Sequence, residues 1–249
     1  MTGFGSKRLC KDPAKASSHL TAMLLLLLGL FVEAVATPPR HRNPRVAASP
    51  APGRPTRDLI AEAEHRLSAL GYWTGPPDGV IDAQDRQALI AFQKIEARKR
   101  TGRLTAEDLK AMRSAARVVP VETGYPHVEV DLSKQVLYVV GAAGDVAYIL
   151  PVSTGSGKSF TLKGRREVAV TPTGKFTVYR KVNGWRKSPL GLLYYPNYIA
   201  GGVAIHGNPS VPVYAASHGC IRIPMSASEA FSKMTPVGTV VIVHDKGRY

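Results

Sequence analysis

The sequence predicts two folded parts in series: a small three-helix bundle, then a mostly-β domain with one short helix. Three observations carry this. Apolar residues recur at helical spacing between residues 57 and 115, broken by Gly- and Pro-rich loops. From residue 121 to 245 the pattern changes to alternating and β-branched runs. A positive front, an apolar run and a small-residue site precede both, in the order of an export signal.

That N-terminal order runs as follows. Lys7, Arg8, Lys11 and Lys15 are followed by an apolar run from Leu20 to Val32 and then by Ala34-Val35-Ala36. Residues 1–36 therefore read as a secretory signal peptide. The run is short for a bilayer span, and an uncleaved signal anchor is the alternative. The positive front keeps the N-terminus cytoplasmic in either case. Membrane contact is expected through this segment only, and the rest is expected in the periplasm or cell wall. Residues 37–56, with Pro38, Pro39, Pro44, Pro50, Pro52 and Pro55, read as an extended, solvated linker.

The 249 residues are 44% hydrophobic, enough to build a sizeable core. Net charge is +15; cleavage after Ala36 removes four cations and two acids and leaves +13. An exported chain has little occasion to meet nucleic acid, which is not an expected partner. The charge suits an anionic envelope polymer, although plain solubility explains it too. Cys10 precedes the apolar run, is poorly placed for lipidation, and leaves with the signal. One cysteine then remains, Cys220, which cannot form an internal disulfide. It is an apolar filler, an intermolecular link or a reactive thiol.

In the helical part, Leu59, Ile60, Ala63, Leu67 and Leu70 mark the first helix, which Gly71 ends. After the loop Gly75-Pro76-Pro77-Asp78-Gly79, Asp82 can cap a second helix carrying Ala88, Leu89, Phe92 and Ile95. Thr105 can cap a third, through Leu109 and Met112. In the β part, Val128-x-Val130-x-Leu132 alternates and Val136 to Val140 is an apolar strand. Gly141 and Gly144-Asp145 turn it into a returning strand from Val146 to Val152. Phe176, Val178 and Val182 continue the pattern, and Val237 to Val243 is a last strand. The single helix is expected near Ser226, with Ser226-x-x-Glu229 as a capping box.

Chemistry concentrates in Ile205-His206-Gly207-Asn208 and Ala216-Ser217-His218-Gly219-Cys220-Ile221-Arg222. A thiol is a nucleophile only as thiolate, and a nearby imidazole can take its proton. His206 and His218 are candidates. Gly219 removes a side chain beside Cys220, and consecutive amides in such a turn can form an oxyanion hole. Arg222 is a permanent cation suited to a carboxylate. By residue type this is an acyl-transfer set. Packing alone for Cys220, a structural ion pair for Arg222, and a zinc site from His206, His218, Cys220 and His244 are the alternatives. No short His/Cys pair repeats at metal-ligand spacing.

These residues resemble two families. Leu67-x-x-Leu70-Gly71-Tyr72, Gly75, Asp78-Gly79, Ala91-Phe92-Gln93 and Gly102-Arg103-Leu104-Thr105 are similar to the peptidoglycan-binding-like helical domain, placed here over 57–115. Asp85 stands where that family often has threonine. A bundle that only spaces the second part is the alternative to wall binding. His206-Gly207 and Ser217-His218-Gly219-Cys220-Ile221-Arg222 resemble the L,D-transpeptidase (YkuD-type) catalytic domain, placed over 121–245. The runs Val130-Asp131-Leu132-Ser133-x-Gln135-x-Leu137-Tyr138, Val152-Ser153-Thr154-Gly155, Thr171-Pro172-Thr173-Gly174-x-Phe176 and Tyr198 to Gly207 agree with it. The long basic stretch from Ser156 to Val170 is a departure.

The second resemblance implies a β-sandwich and a cysteine acyltransferase without metal or organic cofactor. It makes Cys220 the nucleophile and His206 the proton acceptor and donor. The amides of His218, Gly219 and Cys220 form the oxyanion site. His218 also orients substrate, and Ser217 and Arg222 match motif positions. The implied substrate is the peptidoglycan stem peptide. Cys220 attacks the third-residue carbonyl, D-alanine leaves, and the thioacyl group passes to an amine as a 3→3 cross-link. Water as acceptor makes an L,D-carboxypeptidase, a free D-amino acid an exchange enzyme, and a protein lysine a wall-anchoring enzyme. A non-catalytic wall-binding protein and a secreted cysteine endopeptidase are the rival classes. Trp185, Tyr194 and Tyr195 are candidates for a lid over the cleft or for core.

Overall fold

A computed structural model describes residues 55–245; the expected signal peptide and residues 37–54 of the expected linker lie outside the described residues. Helix α1 (Arg57–Ala69) is capped by Thr56, α2 (Ala83–Ile95) by Asp82 and α3 (Ala106–Ser114) by Thr105. Both later caps close as reciprocal boxes, Asp82 with Asp85 and Thr105 with Asp108. Asp85 also accepts the Gly75 amide at 3.1 Å, so the residue that departs from the family pattern closes both the box and the preceding loop.

The strands are β1 (His127–Asp131), β2 (Val136–Val140), β3 (Val146–Pro151), β4 (Ser159–Leu162), β5 (Arg165–Val168) and β6 (Gly174–Thr177). They continue with β7 (Arg180–Lys181), β8 (Trp185–Ser188), β9 (Gly191–Ala200), β10 (Val203–Asn208), β11 (Ile221–Pro224) and β12 (Val240–His244). One sheet has the order β3-β2-β1-β12-β6 and a second β11-β10-β9-β7, with β8 also on β9. Strands β4 and β5 form a separate hairpin. Val128, Val130, Leu137, Leu150, Val241 and Val243 from the first sheet pack with Ile199, Ile205, Ile221 and Ile223 from the second and with Phe231. The chain is thus mostly β with four helices.

The fourth helix, α4 (Met225–Met234), departs from expectation. It starts directly from β11 with Pro224 at its N-cap and no side-chain cap. The predicted Ser226/Glu229 box does not form, because Ser226 already lies inside the first turn. Glu229 pairs with Lys233 at 2.8 Å instead.

The first three helices share a core with the outer face of the first sheet. Leu67, Leu70, Leu89, Phe92 and Met112 pack with Val136, Tyr138, Val146 and Ile149. Strand β2 is therefore buried on both faces, which is why it reads as an unbroken apolar run. Residues 71–73 add to the edge of β3: the Ile149 amide donates to the Gly71 carbonyl at 2.7 Å, and the Trp73 amide to the Ile149 carbonyl at 3.1 Å. Lys94 of α2 is 2% exposed. Its ammonium group donates to the carbonyls of Gln135 (2.9 Å) and Val152 (2.8 Å). Burial, and secondarily the charge of Arg100, pull its pKa down to about 7. The neutral amine still carries two N–H donors, so both bonds survive loss of the proton.

Deleting residues 57–115 uncovers Val136, Tyr138, Val146, Ile149 and the β3 edge. The truncated chain is expected to aggregate or to melt well below the longer one in thermal scans. A soluble truncated chain with an unchanged melting temperature would contradict the shared core.

Candidate active site

The crossover from β10 to β11 builds the site. These neighbours are parallel, with Ile205 opposite Ile221 and His206 opposite Arg222. Side chains alternate across a sheet, so Ile205, Ile221 and Ile223 point into the core. His206, Arg222 and, one step before the strand, Cys220 fall on the opposite face. A 17-residue sequence window thereby becomes a single surface. His206, Ser217, His218, Gly219, Cys220 and Arg222 all line one cleft of about 610 Å³.

Backbone pairing fixes the turn that carries Cys220. The chain leaving β3 runs antiparallel to it at Ser153 and Arg222, with reciprocal amide–carbonyl bonds of 3.1 and 3.0 Å. The Ser217 amide donates to the Thr154 carbonyl (2.8 Å), and the Ser156 amide to the Ser217 carbonyl (2.9 Å). Ser217 Oγ then closes the turn, donating to the Cys220 carbonyl at 2.6 Å and accepting the Gly219 amide at 3.0 Å. Gly219 has φ +135°, and a Cβ there would stand 2.9 Å from the Val170 carbonyl oxygen. Only glycine meets both conditions.

Thr171 aims the Gly219–Cys220 peptide. Its hydroxyl donates to the Gly219 carbonyl at 2.7 Å and accepts the Gly155 amide at 2.8 Å. In a trans peptide the C=O and the following N–H point oppositely, so the Cys220 amide faces away from Thr171. The Gly219 amide is committed to Ser217. Of the three amides expected to act together as oxyanion donors, those of Cys220 and His218 are left for that task.

His206 Nδ1 lies 2.9 Å from the Gly207 carbonyl. A carbonyl only accepts, so Nδ1 carries the proton and Nε2 presents a lone pair. Burial lowers the His206 pKa to about 4, with the Arg222 charge adding to the fall and the Gly207 carbonyl opposing it. Cys220 is half-buried. Burial pushes its thiol up, against the smaller opposing effects of an Ala204 backbone hydrogen bond and Arg222. At neutral pH the site therefore holds a thiol and a neutral imidazole. Cys220 Sγ lies 3.7 Å from the Gly202 carbonyl.

The remaining candidates sort as follows. His218 is exposed, and its ring meets Phe160 edge-on at 4.7 Å. No carboxylate pairs with Arg222 among the described residues. His244 ends β12 in the other sheet, and no group of three or more His, Cys, Asp or Glu placed to hold a metal ion occurs among the described residues. Tyr194 meets Trp185 in a tilted contact at 4.9 Å and Tyr195 edge-on at 4.7 Å. The stretch 186–193 beside them, rather than these rings, walls the cleft.

In the sequence Gln135, Thr154, Gly155 and Thr171 are recognisable only as motif positions. Phe160, Leu162 and Val168 carry no signal there, yet they line the cleft from the basic departure segment. Thr171 and Gly155 were legible only as pattern, because their work is to pair across 16 and 48 residues of chain.

A family model described as L,D-transpeptidase catalytic domain matches residues 125–243, and one for a peptidoglycan binding domain matches residues 56–112. The crystal structure of the L,D-transpeptidase from Xylanimonas cellulosilytica DSM 15894 is 36% identical, with a TM-score of 0.74; the match covers 79% of this chain and 100% of that one. The L,D-transpeptidase from Stackebrandtia nassauensis is 21% identical, with a TM-score of 0.46, over 80% of this chain and 100% of that one. No curated protein matches the chain. The chain belongs to the L,D-transpeptidase family with a YkuD-type catalytic domain.

Two outcomes follow from the geometry. Because the thiol pKa is raised, the thiolate fraction grows as pH rises past the ordinary thiol value of about 8.5. Iodoacetamide alkylation of Cys220 is expected to accelerate steadily from pH 7 to beyond 9; an inflection below pH 7 would contradict the neutral pair. Gly219→Ala is expected to cost about 100-fold in turnover, as displaced nucleophiles do, with the circular dichroism spectrum kept.

Proposed function

We propose that this L,D-transpeptidase is an exported cell-wall enzyme that uses Cys220 to cross-link peptidoglycan stem peptides. The observation that carries the reading is the shared cleft face of His206, Cys220 and Arg222 with the neutral, Nε2-open imidazole. His206 takes the thiol proton as Sγ attacks the carbonyl of the third stem residue, at the L-configured centre of a donor tetrapeptide. The Cys220 and His218 amides receive the developing oxyanion. The C–N bond to the terminal D-alanine breaks, His206 gives its proton to the leaving amine, and a thioacyl-enzyme remains.

A side-chain amine of a neighbouring stem then takes the acyl group and leaves a 3→3 cross-link. Arg180, Arg186, Lys187 and Arg222 line the cleft and suit the stem carboxylates. No metal or organic cofactor enters this scheme. Residues 57–115 are assigned as a wall-binding helical bundle, and residues 1–36 as the signal that delivers the chain to the periplasm or wall.

Mass spectrometry of products from purified disaccharide-tetrapeptides, beside Cys220→Ala, tests this. Dimers linked 3→3, absent with the variant, are expected. Tripeptides without dimers would make the enzyme a carboxypeptidase. Unchanged substrate would leave a non-catalytic wall-binding protein.

A further inference from the structure

We propose that Glu167 is the acceptor subsite, a carboxylate that receives the ammonium of the incoming amine; this rests on the transpeptidase reading above. The cleft is charged unevenly. Arg180, Arg186 and Lys187 come from the β7–β9 side, and Arg222 from the floor. Glu167, on β5, is the one carboxylate among the described residues that line it. It is exposed and forms no ion pair among the described residues.

Its position is tied to the nucleophile. Glu167 stands opposite Phe160 in the β4–β5 ladder, so both side chains share a face of the hairpin. The Phe160 ring packs on His218, two residues before Cys220. Glu167 therefore sits on the hairpin that packs on the turn carrying Cys220, on a different element from the cations of β7, β8 and β11.

The two substrates differ in one respect that matters here. Both stems carry the same side-chain ammonium, but only the acceptor must bring it to the thioester carbon, within a cleft whose cations would otherwise repel it. Glu167 offsets that repulsion locally and selects a primary ammonium over water. The bound ammonium gives one proton to solvent. The neutral amine attacks the thioester carbonyl carbon and the C–S bond breaks. The second proton passes through His206 to Sγ, leaving an amide and a thiol.

The test follows both half-reactions of the full chain with disaccharide-tetrapeptide, in Glu167→Gln, Glu167→Lys and the unsubstituted protein. Intact-mass kinetics read thioacyl formation, and product analysis reads the ratio of dimer to hydrolysed tripeptide. Glu167→Gln is expected to lower aminolysis relative to acylation about tenfold, the scale of one charge-assisted hydrogen bond. Glu167→Lys is expected to lower it further, with hydrolysis taking over. A dimer-to-tripeptide ratio unchanged in both variants would overturn the subsite. Acylation and dimer falling in step would do the same, since that marks a general loss of the cleft. Absence of any thioacyl adduct on the unsubstituted chain would instead overturn the transpeptidase reading on which the subsite rests.

Discussion

The pairing of residues 153–156 with residues 217–222 is the constraint on which this structure depends. It joins the end of β3, in one sheet, to the start of β11, in the other. Without it the β10–β11 crossover would be an ordinary surface loop, and Cys220 would have no fixed direction. Glycines let a third segment pack on the joint: a Cβ at Gly155 would stand 2.4 Å from the Ala169 carbonyl oxygen, and residues 169–171 could not lie so close. Lys94 reaches into the joint from the helical part through the carbonyl of Val152, and Gln135 does so by exchanging hydrogen bonds with Thr154 at 2.7 and 3.0 Å. The helices thus help hold the support of the turn that carries Cys220.

Burial decides the electrostatics of the centre. Arg222 alone would favour a thiolate, but desolvation acts more strongly on both Cys220 and His206 and holds the pair uncharged. A neutral pair needs the proton to move only when the carbonyl arrives, which places the charge where the amide donors and Arg222 can stabilise it. Burial chiefly leaves His206 a weak base in the resting site, and Arg222, which adds a little to that, is a cation placed to favour an anion formed there.

Much of the centre was legible because it is local. His206 and Cys220 sit in contiguous motifs; that His206 and Arg222 share a face follows from the β10–β11 register, which the sequence did not show. Helices α1 to α3 were legible for the same reason, since caps and apolar spacing act within a few residues. What escaped was non-local. The apolar run of β2 gave a strand but not the helices that cover its outer face. Ser226-x-x-Glu229 has the letters of a capping box, yet the entry angle from β11 starts the helix earlier and leaves the box unused. The basic stretch from Ser156 to Val170 read only as a departure from the family pattern; its alternate residues Phe160 and Leu162 line the cleft, a fact set by hairpin register.

The central claim is that Cys220 becomes covalently acylated by a stem peptide. Peptide mapping of the protein quenched in acid during turnover on disaccharide-tetrapeptide addresses it most directly. The account predicts a thioester-linked disaccharide-tripeptide on the peptide containing Cys220 and on no other. Cross-linked product formed without that adduct, or with an adduct on another residue, would contradict it.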